Sequence, residues 1–108
     1  MSGPVHVAID QGGHATRASA FTADGTIEGA AVVTIATQHN ALGHVEHDPG
    51  EVVASVATAL AELARIVPAA RWTAAGLAVQ RSTIAFWDAA DGRALAPVIS
   101  WQDTRGAA

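Results

Sequence analysis

Three successive alternating segments, separated by tight-turn residues, constrain the fold of this chain more than any other feature. The segment from Val5 to Ile9 alternates large and small side chains, and it ends at Asp10 followed by glycines. A second segment runs from Arg17 to Thr22 and a third from about Thr26 to Ile35, with Asp24-Gly25 between them. Alternation with a period of two indicates strands, and Asp-Gly is a strong hairpin signal. The sequence therefore predicts three consecutive antiparallel strands at the start.

One helix is predicted after these strands, because its start and stop signals are both present. Residues 37–50 are rich in Gln, His, Asn, Gly and Asp, which predicts a loop. Asp48 can serve as the N-cap with Pro49 at the first helical position, and Glu51 lies where the acid of a capping box belongs. An apolar stripe follows at helical spacing and ends before Pro68. Its members are Val52, Val53, Val56, Leu60, Leu63 and Val67.

The rest of the chain predicts a further strand and a second hairpin. Ala74 to Gln80 has the composition of a buried strand. Ile84 to Trp87 and Leu95 to Trp101 flank Asp91-Gly92, another hairpin signal. The order βββαβ plus a β-hairpin predicts an α/β fold (an α+β mixed sheet) with one helix covering the sheet. We expect Trp72 and Trp87 to pack in the core or on the sheet, and Arg65, Arg71 and Arg93 to be solvated surface charges.

Charge and residue usage argue against several classes of function. The 108-residue chain has a formal net charge of −4 and no basic run, which argues against nucleic acid or an anionic membrane as a partner. Without cysteine there is no disulfide framework, thiolate nucleophile or Cys-ligated zinc. Lysine is absent too, which excludes a P-loop. No signal peptide or bilayer-length apolar run is apparent, so the expected location is the cytoplasm.

Three histidines in the central loop raise the question of a metal site. His39, His44 and His47 match neither an H-E-x-x-H motif nor a helical pair four residues apart, and no Cys assists them. We therefore expect loop hydrogen bonds and capping near Asp48 rather than metal ligation.

The loop after the first strand is the first candidate site. Asp10 lies at a strand end, Gly12 and Gly13 form a turn, and Arg17 opens the returning strand. Glycines let backbone N–H groups approach phosphate oxygens, a carboxylate can orient Mg²⁺ or a water, and arginine offsets negative charge. An ordinary Gly-Gly hairpin with a capping Asp remains the alternative at this point.

Three further segments make a more specific pattern with this loop. They are Gly43-His44-Val45-Glu46-His47-Asp48-Pro49, Val79-Gln80-Arg81 and Trp101-Gln102-Asp103-Thr104-Arg105. Together the four segments resemble motifs of the FGGY carbohydrate kinases, most closely the glycerol kinases. Those enzymes show D-Q-G-T-T-S-S-R, G-W-V-E-H-D-P, N-Q-R-E-T and W-Q-D-x-R in this order and at nearly these spacings. The resemblance covers the chain from Val5 to about Arg105.

This resemblance implies a fold and an activity. Such kinases have two lobes of the actin-like, ribonuclease-H-like type, and substrate and ATP meet in the cleft between them. The sheet of this fold has the order 3-2-1-4-5, and residues 1–108 would be the first part of the N-terminal lobe, without the fifth strand. The parent protein would be an ATP- and Mg²⁺-dependent sugar or polyol kinase. Its catalytic base would lie beyond residue 108, so the chain alone is expected to be inactive.

The resemblance also implies roles for individual residues. Asp10 would position Mg²⁺ indirectly together with the transferring phosphoryl group, and Arg17 would neutralise its charge. Arg81 would hydrogen-bond a substrate hydroxyl, and Trp101 would pack against the polyol carbons. The remaining candidates near the phosphates are Gly12, Gly13 and Thr16, and those near the substrate are Gln80, Ser82 and Asp103. For Asp103, a structural role as an N-cap and as a partner of Arg105 is the alternative.

Departures from the family pattern weaken glycerol as the specific substrate. Gly13 and His14 replace two threonines of the first loop, although Thr16 keeps a hydroxyl nearby. Ser82 replaces a glutamate that could accept hydrogen bonds from two substrate hydroxyls, and His44 replaces a tryptophan.

A stand-alone, non-catalytic module that binds a polyol or self-associates is the alternative function. Because the fifth strand would be missing, the strand at 74–80 is expected to present an unpaired edge that promotes self-association.

Overall fold

The computed structural model describes residues 3–106, which form two sheets and one long helix. The elements in chain order are β1 (Val5–Gln11), β2 (Ala15–Phe21), β3 (Ile27–Thr34), β4 (Gln38–His39), β5 (Val45–His47), α1 (Pro49–Ile66), a 3₁₀ turn (Ala69–Arg71), β6 (Trp72–Val79) and β7 (Val98–Ile99). The larger sheet has the order β3-β2-β1-β6. Its first two pairings are antiparallel, whereas β6 joins β1 in parallel. The predicted mixed α/β sheet is confirmed.

The core lies between α1 and one face of the larger sheet. Alternate residues of β1 are buried and face the helix, as the period of a strand requires. Alanines of β2 and β3 line the same core, and their small side chains allow the helix to approach the sheet closely. The buried members are Val5, Val7, Ile9, Ala18, Ala20, Ala31, Ala59, Leu63 and Val67. This packing fixes the ends of β1 and β2, where the first candidate loop lies.

The helix begins at the predicted residue, but two details of the prediction are wrong. The Asp48 carboxylate accepts a hydrogen bond from Gly50 N (2.9 Å), which confirms the N-cap. Glu51 does not complete a capping box; its carboxylate accepts from Ala36 N (2.8 Å) and ties the first turn to the segment after β3. Val53 is 71% exposed, because the buried face follows Ser55 and every fourth residue after it.

Two short strands, β4 and β5, interrupt the predicted central loop and form a smaller three-stranded sheet with β7. Its order is β4-β5-β7, and both β4 and β7 are only two residues long. Such short strands show no periodicity that a sequence pattern can detect. Gly92 adopts a φ of +76°, so the predicted turn is present. The hairpin around it has isolated bridges, Ile84 with Ile99 and Trp87 with Ala94, in place of continuous strands.

The structure corrects the expected environments of Trp87 and Arg71. Trp72 packs against the core and donates its indole N–H to Val67 O (3.0 Å), but Trp87 is largely exposed. Arg71 is not a solvated surface charge. Its guanidinium forms two 2.8 Å hydrogen bonds to the Glu28 carboxylate and a third, of 2.7 Å, to Gly3 O. These bonds hold the pKa of Glu28 below its ordinary value.

Two of the central histidines make the loop contacts that were predicted. His44 Nδ1 lies 3.1 Å from Asn40 Nδ2, and His47 Nδ1 lies 3.1 Å from Ala36 O. His47 is buried at the end of β5, immediately before the helix cap. Within residues 3–106, no group of three or more His, Asp or Glu side chains is arranged to hold a metal ion.

Candidate active site

A cleft of about 570 Å³ opens where β1 and β6 end. Because these neighbouring strands are parallel, Gln11 pairs with Val79 and the loops that follow both strands meet at one edge of the sheet. Trp101 comes from a third segment and closes another side. The residues that line the cleft are Asp10, Gln11, Gly12, Gly13, Val79, Gln80, Arg81, Ser82 and Trp101. Three segments far apart in sequence therefore share one cleft.

The glycine loop forms the wall of the cleft that follows β1. Gly12 N donates to Ala15 O (2.9 Å), which closes the turn, and Gly13 O accepts from Thr37 Oγ1 (3.1 Å). A Cβ on Gly13 would stand 3.8 Å from the Trp101 indole nitrogen and 3.9 Å from Gln80 Oε1. It would fit without a clash, but it would occupy space between the loop and the indole. Glycine therefore keeps the backbone of this wall accessible to a ligand.

The segment after β6 forms the second wall. Arg81 and Ser82 are exposed at its rim, whereas Gln80 is half-buried. Ser82 has a φ of +62°, a left-handed conformation that residues other than glycine rarely adopt. A non-glycine residue in this conformation marks local backbone strain, which concentrates at functional sites. The left-handed conformation of Ser82 redirects the chain between β6 and the hairpin.

The loop that carries Trp101 is anchored to β5. Trp101 itself is 57% exposed, so the packing of its ring alone does not fix it. Ser100 N donates to Val45 O (2.9 Å), and Val45 N donates to the Asp103 carboxylate (2.6 Å). The Arg105 guanidinium bridges Asp103 (2.8 Å) and Glu46 (2.6 Å). Its hydrogen bonds hold the pKa of Asp103 far below the ordinary value.

Three predicted site residues lie outside the lining of this cleft. Thr16 is fully buried and its hydroxyl lies 2.7 Å from that of Ser55, because alternation along β2 turns it toward α1. Arg17 is exposed one strand away from the cleft and stands opposite Asp10 in the β1–β2 register. The Asp103 side chain is almost wholly buried in the anchor to β5, which matches the structural alternative given for it.

Sequence reasoning missed Gln11 and Thr83 at this site. Gln11 Nε2 donates to Gly12 O (2.9 Å), and the Thr83 hydroxyl contacts both Gln80 and Trp101. Alternation along β1 turns Gln11 to the face opposite Asp10. The available sequence signal was its match to the glutamine of the D-Q-G motif quoted above. Thr83 did have a sequence signal, because Gln80-Arg81-Ser82-Thr83 keeps the threonine of the N-Q-R-E-T motif quoted above.

A family model described as "FGGY family of carbohydrate kinases, N-terminal domain" matches residues 5–108. The chain belongs to the FGGY family of carbohydrate kinases. The resemblance stated from the four motifs is thus confirmed, and so is the fold expected from it.

Within residues 3–106, no helix combines the length and the apolar character needed to cross a membrane.

Individual FGGY relatives agree with this family assignment. The glycerol kinase of Aromatoleum aromaticum is 42% identical over 106 residues, which cover 94% of this chain and 21% of that protein. The crystal structure of Plasmodium falciparum glycerol kinase with ADP superposes with a TM-score of 0.86 at 26% identity, covering 96% of this chain and 21% of that one. A xyloylose kinase from Brucella ovis also gives a TM-score of 0.86, at 27% identity over 94% of this chain and 22% of that one. The chain spans about a fifth of the length of the relatives it matches.

Proposed function

We propose that this chain contributes one wall of the active-site cleft of an ATP-dependent kinase that phosphorylates a hydroxyl of a polyol or sugar. The observation that carries the proposal is the meeting of Asp10 and the glycine loop with Arg81 and Trp101 in one cleft. In phosphoryl transfer, a protein contributes positioning and charge compensation more than covalent chemistry. Because ATP would be the donor, we propose the cytoplasm as the location of the protein.

The β1 side of the cleft suits the phosphates of ATP with Mg²⁺. Asp10 offers an exposed carboxylate, and Mg²⁺ prefers oxygen ligands, commonly with waters between the metal and the protein. Gly12 and Gly13 leave room for phosphate oxygens beside the backbone. Arg17, which lies opposite Asp10 on β2, adds a positive charge near this wall. Mg-ATP would supply the phosphoryl group, and these residues would hold its charge in place.

The β6 side and the indole suit a polyol. A polyol presents hydroxyls along its edge and C–H groups on its faces. Arg81 offers guanidinium donors and Ser82 a hydroxyl at the rim, while Trp101 offers an exposed apolar ring. Gln80 holds the inner end of the same wall, with its amide hydrogen-bonded to the glycine loop. Gly13 and Ser82, which replace side chains typical of glycerol kinases, leave the choice among polyols and sugars open.

We propose that residues 1–108 form the first part of the N-terminal lobe and that the catalytic base lies outside them. The test compares the 108-residue chain with the longest natural protein that carries it, measuring ATP-dependent phosphorylation across a panel of glycerol, other polyols and sugars. We expect activity only in the longer protein.

Three variants test the assignment of the site. Asp10→Asn should abolish phosphorylation, and Trp101→Ala should raise the KM for the polyol. Arg93→Ala is the matched control, because Arg93 is exposed near the turn of the hairpin, away from the cleft. Full activity of Asp10→Asn, or the absence of activity with every substrate in the panel, would refute the proposal.

A second candidate function, a self-associating module, is favoured by the outer edge of β6. Among residues 3–106, this strand pairs with β1 on one side and with no strand on the other, and Leu77 and Val79 are 61% and 63% exposed. They stand level with Ile9 and Gln11 of β1, on the face of the sheet that α1 covers mainly over β2 and β3. Unpaired edges and uncovered apolar faces recruit further chains. Sedimentation of the 108-residue chain should show concentration-dependent dimers; a monomer at all concentrations would refute this candidate.

A further inference from the structure

A chain of hydrogen bonds joins the three segments that line the cleft. Gln80 Nε2 donates to Gly12 O (3.0 Å) and to Gln11 Oε1 (3.2 Å). Gln80 Oε1 accepts from the Thr83 hydroxyl (2.9 Å), and that hydroxyl accepts from Trp101 N (3.1 Å). The bonds span 68 residues between Gly12 and Gln80 and 18 residues between Thr83 and Trp101. A single connected path therefore runs from the glycine loop to the backbone of the tryptophan.

The direction of every bond in this path is fixed by its two ends. Trp101 N–H can only donate, so Thr83 Oγ1 must accept there and its own proton is directed to Gln80. Gly12 O can only accept, so the Gln80 amide must present its NH₂ group to the loop and its oxygen to Thr83. A group that both accepts and donates is required at each intermediate position. A hydroxyl and a primary amide meet this requirement, whereas valine or a carboxylate at these positions does not.

The same bonds leave Gln80 little capacity for a substrate. Both of its amide protons are directed to partners within the protein, and its oxygen already accepts one bond. Trp101 is largely exposed, so the position of its indole over Gly13 depends on how its backbone is held. The bond to Thr83 is made at the amide of Trp101 itself. The structure therefore favours a bracing role for Gln80 over the substrate contact predicted from the sequence.

We propose that Thr83 is a positioning residue that, through Gln80, sets the distance between the Trp101 indole and the glycine loop. The proposal rests on the proposed kinase function for its effect on catalysis, but the bracing itself does not depend on it. In the kinase, loosening this brace would let the polyol side of the cleft move relative to the phosphate side. Misplacement of a bound substrate relative to its reaction partner lowers the rate of transfer.

Amide NMR and hydrogen exchange on the 108-residue chain test the brace without any ligand. Thr83→Val removes the hydroxyl at nearly constant shape, and it should shift the amide signals of Trp101, Gly12 and Gly13 together. Exchange of the Trp101 amide should accelerate roughly tenfold, as expected for the loss of one hydrogen bond. Thr83→Ser should restore both properties. Thr58→Val, at an exposed position of α1, is the control and should change neither.

Two further measurements keep the proposal open to refutation. If Thr83→Val does not fold, hydrogen exchange of the unaltered chain still tests the brace. Its Trp101 amide should exchange at least roughly tenfold slower than an unprotected amide. In the longer kinase, Thr83→Val should lower kcat/KM for the polyol roughly tenfold, with recovery in Thr83→Ser. If Thr83→Val shifts the amide signals and Thr83→Ser restores them, but the longer protein has no kinase activity, the brace is supported and the proposed function is refuted. Two outcomes would refute the brace. One is an active kinase in which the Trp101 amide is unprotected against exchange. The other is a Thr83→Val variant whose amide shifts, amide exchange and kcat/KM equal those of the unaltered protein.

Discussion

Replacing Gly29 by alanine tests how tightly α1 is packed against the sheet. Gly29 lies in β3 beneath the end of the helix. A Cβ at this position would meet Ile66 Cγ2 at 2.8 Å and Val67 Cγ2 at 3.0 Å. Carbon atoms in ordinary contact are about 3.5–4.0 Å apart, so both side chains would have to move by roughly 0.5–1 Å. Both side chains are β-branched and therefore stiff at χ1, but Ile66 is more than half exposed and has room to move, whereas Val67 is buried.

The size of the effect follows from two opposing contributions. Extra atoms in a packed region typically cost about 1–3 kcal/mol. Replacing a strand glycine gains about 0.4–1 kcal/mol, because the unfolded chain loses conformational freedom. Since Val67 cannot turn away, we expect the packing cost to dominate and the free energy of unfolding to fall by about 1–2 kcal/mol. A change of that size lowers Tm by roughly 5–10 °C in a domain of this length.

Gly76→Ala is the matched control for this experiment. Gly76 also lies in a strand, β6, but a Cβ there meets nothing within 4 Å. The same substitution should therefore raise the free energy of unfolding by up to about 1 kcal/mol. Chemical denaturation at low protein concentration measures the free energy of unfolding of both variants, and circular dichroism gives their Tm. In the double variant Gly29→Ala/Ile66→Ala, the free energy of unfolding should fall by less than the sum of the decreases in the two single variants. A Gly29→Ala variant as stable as Gly76→Ala would refute the packing argument.

Three further predictions address the site and the core. For the proposed kinase, we expect Ser82→Glu to lower the KM for glycerol about tenfold, because a carboxylate accepts stronger hydrogen bonds than a hydroxyl; an unchanged KM would contradict a contact between Ser82 and the substrate. Because Arg105 lowers the pKa of Asp103 in the folded chain, this carboxylate stabilises the fold above about pH 4 and the contribution is lost as the pH falls further. Asp103→Asn should therefore reduce stability at pH 7 and flatten its decline in acid, measured by denaturant titration against Glu62→Gln on the exposed side of α1. Leu63→Ala, at a fully buried position, should cost about 2–5 kcal/mol by the same titration, and a loss of less than about 1 kcal/mol would contradict its place in the core.

The elements that sequence reasoning predicted correctly are those whose signals are local. Strands β1 to β3 show alternation and an Asp-Gly turn, and the helix shows Asp48 and Pro49 at its start. Each signal lies within a few residues of the structure it specifies. The strands of the smaller sheet are only two or three residues long. β4 and β5 form a short local hairpin, whereas β5 also pairs with β7, which is distant in sequence (Glu46 with Ile99). No local pattern records that pairing.

Three of the residues whose roles were misjudged have partners that are distant in sequence. Glu51 bonds Ala36, 15 residues away, and Arg71 bonds Glu28, 43 residues away. Thr16 was expected near phosphate, but its partner Ser55 lies 39 residues further along the chain. In each case the residue type was compatible with the predicted role, and only the fold selected the partner. Three of the four motifs line the cleft, so most of its composition was predictable, whereas its hydrogen-bond pattern was not.

Strand β6 links the stability of the sheet edge to the geometry of the cleft. Its outer edge and the exposed face of Leu77 and Val79 are uncovered, and its last residue leads directly into Gln80. An edge strand with an uncovered face opens locally at lower free energy than a central strand. Each opening would separate Gln80 from Gly12 and so break the path to Trp101. We therefore expect a partner that covers β6 to tighten the cleft as well. If the cleft binds a polyol as proposed, the 108-residue chain should bind it more weakly than a protein in which this edge is covered.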